Sequence, residues 1–280
     1  MNFSRALLWD LTLSVFRITG EGTRKFLQGQ TTADFLSVTS THEVQTCWLS
    51  PTGRLRALLE VKLVPQGAEF VILSGKEKDV INGLERVIFP SDKVKIESCG
   101  EIRRVQKISF QESWQGTPFK WLSIDQSLPN DLKEFSLAND TELEIWRLHQ
   151  GLPMFEREFN ENTNPYELGL SNLINHTKGC YLGQETMSKL KNVGYTKQEL
   201  RFFSSQVPVD IPEGLISKNI KNDMRNIAGK ITSFLILDSG YLIGLALIRK
   251  DFLAKSLFLE SSSLIGIDIN IPIGFSKLKN

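Results

Sequence analysis

The sequence predicts an α+β fold up to about Leu200, followed by a small all-β unit read as a barrel. Before Leu200, short runs with period-two alternation are interleaved with stretches of helical spacing. After it, the helical spacing stops, and short strands are punctuated by Gly, Asp-Ser-Gly and Pro. The 280 residues, 41% hydrophobic and 23% charged, suffice for two or three modest cores.

The elements follow in order. "LTLSVFRITG" alternates Leu11, Leu13 and Val15 with polar neighbours and reads as a strand. In "GEGTRKFLQGQTTADFL", Thr23 is the expected N-cap of a short helix that Gly29 would end. "EVQTCWLSPTGRLRALLEVKLV" reads as a β-hairpin, two apolar runs around "SPTG", with Arg54 and Arg56 just past the tip. "EFVILSG" is a further strand. Val80, Ile81, Leu84, Val87 and Ile88 stand at helical spacing. Val94 to Leu137 reads as strands and loops. "DTELEIWRLHQGLPMF" reads as a helix with Thr141 as cap and Glu144 completing a capping box. Leu143, Trp146 and Leu148 are expected to face inward, and Gly151 and Pro153 to stop it. "RFFSSQV", "AGKITSFLIL", "YLIGLALIRK" and "IGIDINIPIG" are the expected barrel strands.

Composition excludes several classes. A net charge of +1 gives no global field for nucleic acid or an anionic membrane. The most apolar stretch is broken by Asp238, Gly240 and Arg249, so no membrane span is expected, and no signal peptide is read at the N-terminus. Cys47, Cys99 and Cys180 are far apart, odd in number and without CxxC spacing, which fits a reducing cytoplasm. They do not make an iron–sulfur site, and His42, His149 and His176 show no zinc-ligand spacing, so no stably bound metal is expected.

"HTKGCYLGQE", His176 to Glu185, carries the most chemistry. Gly179 and Gly183 strip side-chain bulk from both sides of Cys180. Lys178 and the start of a helix near Gly183 would both favour thiolate over thiol. The alternative is a buried, inert cysteine, the commoner state of a free thiol. Cys47 and Cys99 read as structural or incidental. A dyad of His176 with Cys180 is less expected than an exposed loop histidine. Gln184 and Glu185 could pair with an amide-bearing ligand or simply lie on a helix surface. Lys189, Lys191, Lys197 and Arg201 form a basic stretch that reads first as a solvated face and second as a receiver of an anionic tail.

These residues resemble a known family. "KGCYLGQE" is similar to the signature of the YgfZ-type folate-binding proteins, in the superfamily of the glycine-cleavage T-protein (aminomethyltransferase). "ITGEGTRKFLQGQTTAD", "SPTGRL", "WRLHQGLP" and "GLALIRKD" resemble further family motifs, so the likeness covers essentially the whole chain. It implies a three-domain ring of the aminomethyltransferase type, with residues 1–50 and 139–200 forming a discontinuous folate-cavity domain. Residues 51–138 would form a second α+β domain and 201–280 a C-terminal β-barrel. It implies tetrahydrofolate or a derivative as ligand, and a role with iron–sulfur client or assembly proteins, in [4Fe–4S] enzyme assembly or repair and in tRNA modification. It makes Cys180 the functional thiol, with Lys178 beside it. Gly179, Tyr181, Gly183, Gln184, Glu185, Arg147 and Arg54 are the candidate cavity residues. Direct nucleic-acid or membrane binding is not expected.

Two departures from the transferases stand out. Those enzymes carry an Asp pair after the hairpin glycine, where an ungapped reading finds Arg56 and Ala57. They also carry Glu where "WRLHQG" has His149. A cation and a methyl cannot stabilise positive charge developing on a folate nitrogen, and imidazole offers one acceptor at most. The leading reading is a folate-binding accessory protein acting through Cys180. The alternatives are a folate-dependent aminomethyl transferase and a non-catalytic scaffold.

Overall fold

A computed structural model describes residues 5–38, 42–209, 217–260 and 264–278. Strands β1 (Leu7–Thr19), β2 (Val44–Leu49), β3 (Leu55–Val64), β4 (Gly67–Ser74), β5 (Lys95–Ile108) and β6 (Phe119–Leu122) form one sheet. Its order is β2-β3-β4-β1-β5-β6, and neighbouring strands run antiparallel. The expected hairpin is β2–β3, which crosses residue 50, so this sheet takes strands from both sides of that position.

Alternation gives the sheet two buried faces. On one, Phe16, Ile18, Trp48, Leu59, Val61 and Phe70 pack against helices α1 (Thr23–Gln30) and α2 (Glu77–Glu85) through Phe26, Leu27, Val80 and Leu84. On the other, Leu7, Trp9, Leu58 and Ile108 pack against Ile145, Trp146 and Leu148 of helix α3 (Asp140–Gln150). This second face also buries charge. Arg104 on β5 and Glu60 on β3 are both fully buried and bonded through three nitrogen–oxygen contacts of 2.8–3.0 Å. The Arg104 guanidinium lies between the rings of Trp9 and Phe119, 4.5 Å from each.

Local signals place the helix ends with small shifts from expectation. α1 has Gly22, not Thr23, as its N-cap, and it runs through Gly29 to Gln30. The Thr23 hydroxyl instead donates back to the Gly20 carbonyl at 2.8 Å. α3 is capped two residues earlier than expected. The Asn139 side chain accepts from the Glu142 amide, and the Glu142 carboxylate accepts from the Asn139 amide, a capping box that displaces Thr141 and Glu144 from that role. Gly151 ends α3 in the left-handed region, at φ 67°.

Beyond helix α4 (Gln184–Val193) the chain closes a barrel. Its strands are β7 (Gln198–Ser205), β8 (Asn219–Asn222), β9 (Ile227–Ile236), β10 (Leu242–Arg249), β11 (Leu257–Glu260) and β12 (Leu264–Asn270), in the order β10-β7-β12-β11-β8-β9. Phe203, Ile231, Ala246, Ile248, Leu259 and Ile267 fill it. After β12 the chain returns to α3: the Ile273 and Gly274 amides donate to the His149 and Gln150 carbonyls, and Ser276 to that of Gly169. The barrel is thereby tied to the same helix that covers the sheet.

Candidate functional site

The segment His176–Gly183 is docked at both ends. Asn175, just before it, anchors one end: its side chain accepts from the amides of Thr177 and Lys178, and its own amide donates to the Thr32 carbonyl. At the other end, Leu182 donates to the Gly29 carbonyl at the end of α1. Gly183 caps α4 with φ 82°. A Cβ there would lie 2.7 Å from the Ser50 carbonyl oxygen, and one on Gly53 (φ 72°) would lie 2.8 Å from Thr186 Cβ. The cysteine loop therefore seats on the tip of the β2–β3 hairpin through two glycines, each of which needs positive φ and no side chain. Gly179 differs, since a Cβ there would meet only open space.

Cys180 and Gly179 at the crest of this loop are exposed. Cys47 is fully buried, and burial pushes its thiol up to about 12. Cys99 is exposed on β5. Accessibility thus separates Cys180 from Cys47 but not from Cys99.

Lys178, two residues before the thiol, is bound to backbone carbonyls of the chain after α1. It is 6% exposed, and its ammonium donates to the carbonyls of Thr31 at 2.7 Å and Ala33 at 2.5 Å. It also lies 5.1 Å from the centroid of the Tyr181 ring. Burial pulls it down to about 8. Its bonds run to the chain just past α1, so it secures the loop from beneath.

Other titratable groups around the loop are also displaced from their ordinary values. Burial, and then Lys191, lowers His176, whose Nε2 is 3.4 Å from the Tyr166 hydroxyl. Burial raises Tyr166 and pushes Tyr181 up to about 12. Burial also raises Glu167, which is 4.0 Å from the Arg54 guanidinium. Gln184 is half-buried at the start of α4, and Glu185 is exposed and paired with Lys189. A concentration of shifted groups is a feature of functional sites.

Arg147 belongs to a second place. Between β1, α3 and the turn that follows α3 lies a cavity of about 300 Å3. Trp9, Leu11, Leu143, Trp146, Leu152, Met154 and Phe155 make its apolar wall. Asp140, Glu144, Arg147 and Arg157 supply the charges. Larger hollows of about 600 and 470 Å3 lie near β6, but the first is ringed by Lys107, Lys120, Glu112, Asp131 and Glu134 and the second is less apolar. The α3 cavity has the apolar, aromatic lining with few polar groups that small-molecule sites favour.

Its charges form one chain of contacts. Arg147 Nε and Nη2 donate to Glu144 at 2.8 Å each, and Nη1 donates to Glu158 at 3.0 Å. Burial raises the Glu144 carboxyl, but Arg147 and Arg157 outweigh it and hold the group below its usual range. Glu158, 1% exposed, accepts four bonds: from Arg147, the Met154 amide, Thr232 and Ser233. The last two come from β9, so this carboxylate joins the cavity wall to the barrel. Nothing in "MFEREF" marks Glu158 for that role, because Glu156 and Glu158 both lie between Phe155 and Phe159.

His149, Arg56 and Ala57 do not line this cavity. His149 sits on the other side of α3, 4.2 Å from the Phe202 ring and edge-on to Phe110, and burial lowers it to about 4. Ala57 is fully buried, facing Trp48 across the β2–β3 pair. Arg56 lies over the Trp48 ring and 3.7 Å from Glu161. The described residues hold no group of three or more His, Cys, Asp or Glu able to hold a metal. No helix among them is long and apolar enough to cross a membrane.

No family model matches the chain. It is 27% identical over 245 residues to an uncharacterized protein of Haemophilus influenzae, a span covering 80% of this chain and 82% of that one. It is 25% identical over 277 residues to the tRNA-modifying protein YgfZ of Vibrio vulnificus, covering 88% and 85%. The same named protein of Colwellia psychrerythraea is 25% identical over 274 residues, covering 84% and 82%. Among solved structures, the glycine cleavage system aminomethyltransferase T of Bartonella henselae superposes with a TM-score of 0.76. That match covers 99% of this chain and 88% of the enzyme at 13% identity, a likeness of fold. With the sheet, the terminal barrel and the "KGCYLGQE" loop on one scaffold, the chain has the fold of the aminomethyltransferase T-protein and is similar over most of its length to the tRNA-modifying YgfZ proteins.

Proposed function

We propose that this protein binds a reduced folate in the α3 cavity and supports tRNA modification by maintaining [4Fe–4S] enzymes, with Cys180 as its working thiol. The observation that carries the reading is the pairing of an aromatic-walled cavity with an exposed cysteine on a loop docked by two glycines. Relatives named as tRNA-modifying proteins support the tRNA connection.

The residues suit a pterin. Trp9, Trp146 and Phe155 give the cavity an aromatic wall against which a flat ring could pack. Glu144 stays ionised, so it is an acceptor for ring N–H groups. Bound tetrahydrofolate would supply a one-carbon carrier. Cys180 does not line the cavity, so the thiol faces solvent and a partner protein, in keeping with a cytoplasmic accessory factor that meets iron–sulfur clients.

Aminomethyl transfer is less well supported. The cavity's inward carboxylate, Glu144, is bound by two arginines, which leaves it a poor base. A role as pure scaffold is less well supported too, because an exposed Cys180 is not a packing residue.

The test is Cys180→Ala in a strain whose only copy is this one. The fold should be intact, with thermal unfolding unchanged, while client [4Fe–4S] enzyme activity falls to near that of the null strain. Full client activity with the variant would remove Cys180 from the function.

A further inference from the structure

The two cations in the cavity wall are not equivalent. Arg147 is 5% exposed, and four of its five donors are taken: two by Glu144, one by Glu158 and one by the Leu152 carbonyl. Arg157 has a side chain 52% exposed and donates once among the described residues, from Nη1 to Glu144 Oε1 at 3.0 Å. Glu144 does not depend on it, because Arg147 already holds both of its oxygens. Arg157 can therefore leave Glu144 without stranding a buried charge, which Arg147 cannot do.

Its backbone is held in place. The Arg157 amide donates to the Met154 carbonyl, and the Glu156 amide to that of Phe159, with Glu156 in the left-handed region at φ 66°. Glu158 binds the Met154 amide from below. A long, half-exposed guanidinium, held by one contact to Glu144, thus stands on a pinned turn beside a cavity of about 300 Å3. That volume is at the low end for drug-sized ligands, about 300–1,000 Å3. An occupant with a tail must project it outward, past Arg157. The other exposed charge in the lining, Asp140, would repel an anionic tail and so direct it to the arginine.

We propose that Arg157 determines the ligand class of this cavity: it exchanges Glu144 for a carboxylate on the ligand's tail, so the site selects carboxylate-tailed pterins over tail-less ones. This rests on the folate reading of the cavity. A planar guanidinium matches a carboxylate in a fork of two charge-assisted bonds, a geometry that lysine reproduces only as a point charge.

The experiment is calorimetric titration of the full chain with tetrahydrofolate and with 6-methyltetrahydropterin, for wild type, Arg157→Gln and Arg157→Lys. Thermal unfolding checks that the variants fold. Arg157→Gln should weaken tetrahydrofolate on the order of tenfold, with a smaller loss for Arg157→Lys. It should leave the tail-less pterin unchanged. Equal losses for both ligands, or an unchanged tetrahydrofolate affinity, would overturn the role of Arg157 and spare the cavity. Failure of wild type to bind either ligand would overturn the folate reading itself, and this inference with it.

Discussion

Replacing Glu158 with alanine should destabilise the protein by about 3–5 kcal/mol, the cost of breaking a buried, hydrogen-bonded charge pair. Its carboxylate has no exposed surface and satisfies four donors at 2.6–3.0 Å. Removal leaves the Arg147 Nη1 donor, the Met154 amide and the hydroxyls of Thr232 and Ser233 with a lost or weakened partner in a dry site. Because two of the four donors lie on β9, the loss should also loosen the barrel from α3. Urea unfolding at neutral pH gives the free energy, and amide exchange along β9 the location. A change below about 1 kcal/mol would mean that water replaces these bonds at little cost.

Lys178→Met is the second large effect, and it depends on pH. At pH 7 the substitution should cost about 1–3 kcal/mol, because the Thr31 and Ala33 carbonyls lose their donor. In the folded protein, burial lowers the lysine from 10.5 to about 8. Between those values the unfolded chain holds a proton that the folded chain has released, so wild-type stability rises with pH across that window. Methionine has no such titration. The stability gap between wild type and variant should therefore widen by about 3 kcal/mol as pH rises from about 8 to 10.5. A gap that stays constant, or narrows, would show that the folded-state lysine is not depressed.

Local elements were legible in the sequence because their causes are local. The β2–β3 hairpin follows from alternation around "SPTG", and the turn closes as that chemistry demands, with the Ser50 hydroxyl accepting from Arg54 and Gly53 at positive φ. Four of the six barrel strands, β7, β9, β10 and β12, follow from short runs between glycine, Asp-Ser-Gly and proline breaks, while the four-residue β8 and β11 are too short to carry such a signal. α3 was readable as a helix, but its start was not, because two asparagine- or threonine-led capping boxes overlap in "NDTELE" and only the asparagine one is made.

The candidate site was legible in part. The unusual setting of Cys180 is a property of neighbouring residues; its exposure, left open in the sequence against a buried thiol, comes from the folded loop. So does the direction of Lys178: proximity in sequence suggested the thiol, while the fold offers two carbonyls from residues 31 and 33. The cavity combines β1 with residues 140–157, and no spacing rule joins Trp9 to Trp146 or Phe155. Arg147 was visible as a cation in a helix. That its donors would be consumed by Glu144 and Glu158, leaving Arg157 as the open one, required the folded turn. The Arg104–Glu60 pair was invisible for the same reason, since the partners lie on strands separated by β4 and β1.

The central claim is that the ligand cavity and the thiol are separate places on one scaffold. Titration of tetrahydrofolate into wild type, Cys180→Ala and Leu143→Trp tests it most directly. Leu143 lines the cavity, and an indole there would fill much of its roughly 300 Å3. The account predicts an unchanged Kd for Cys180→Ala and a Kd raised at least about tenfold for Leu143→Trp, a change of about 1.4 kcal/mol or more. Lost binding in Cys180→Ala, with binding retained in Leu143→Trp, would contradict it and move the folate site to the cysteine loop.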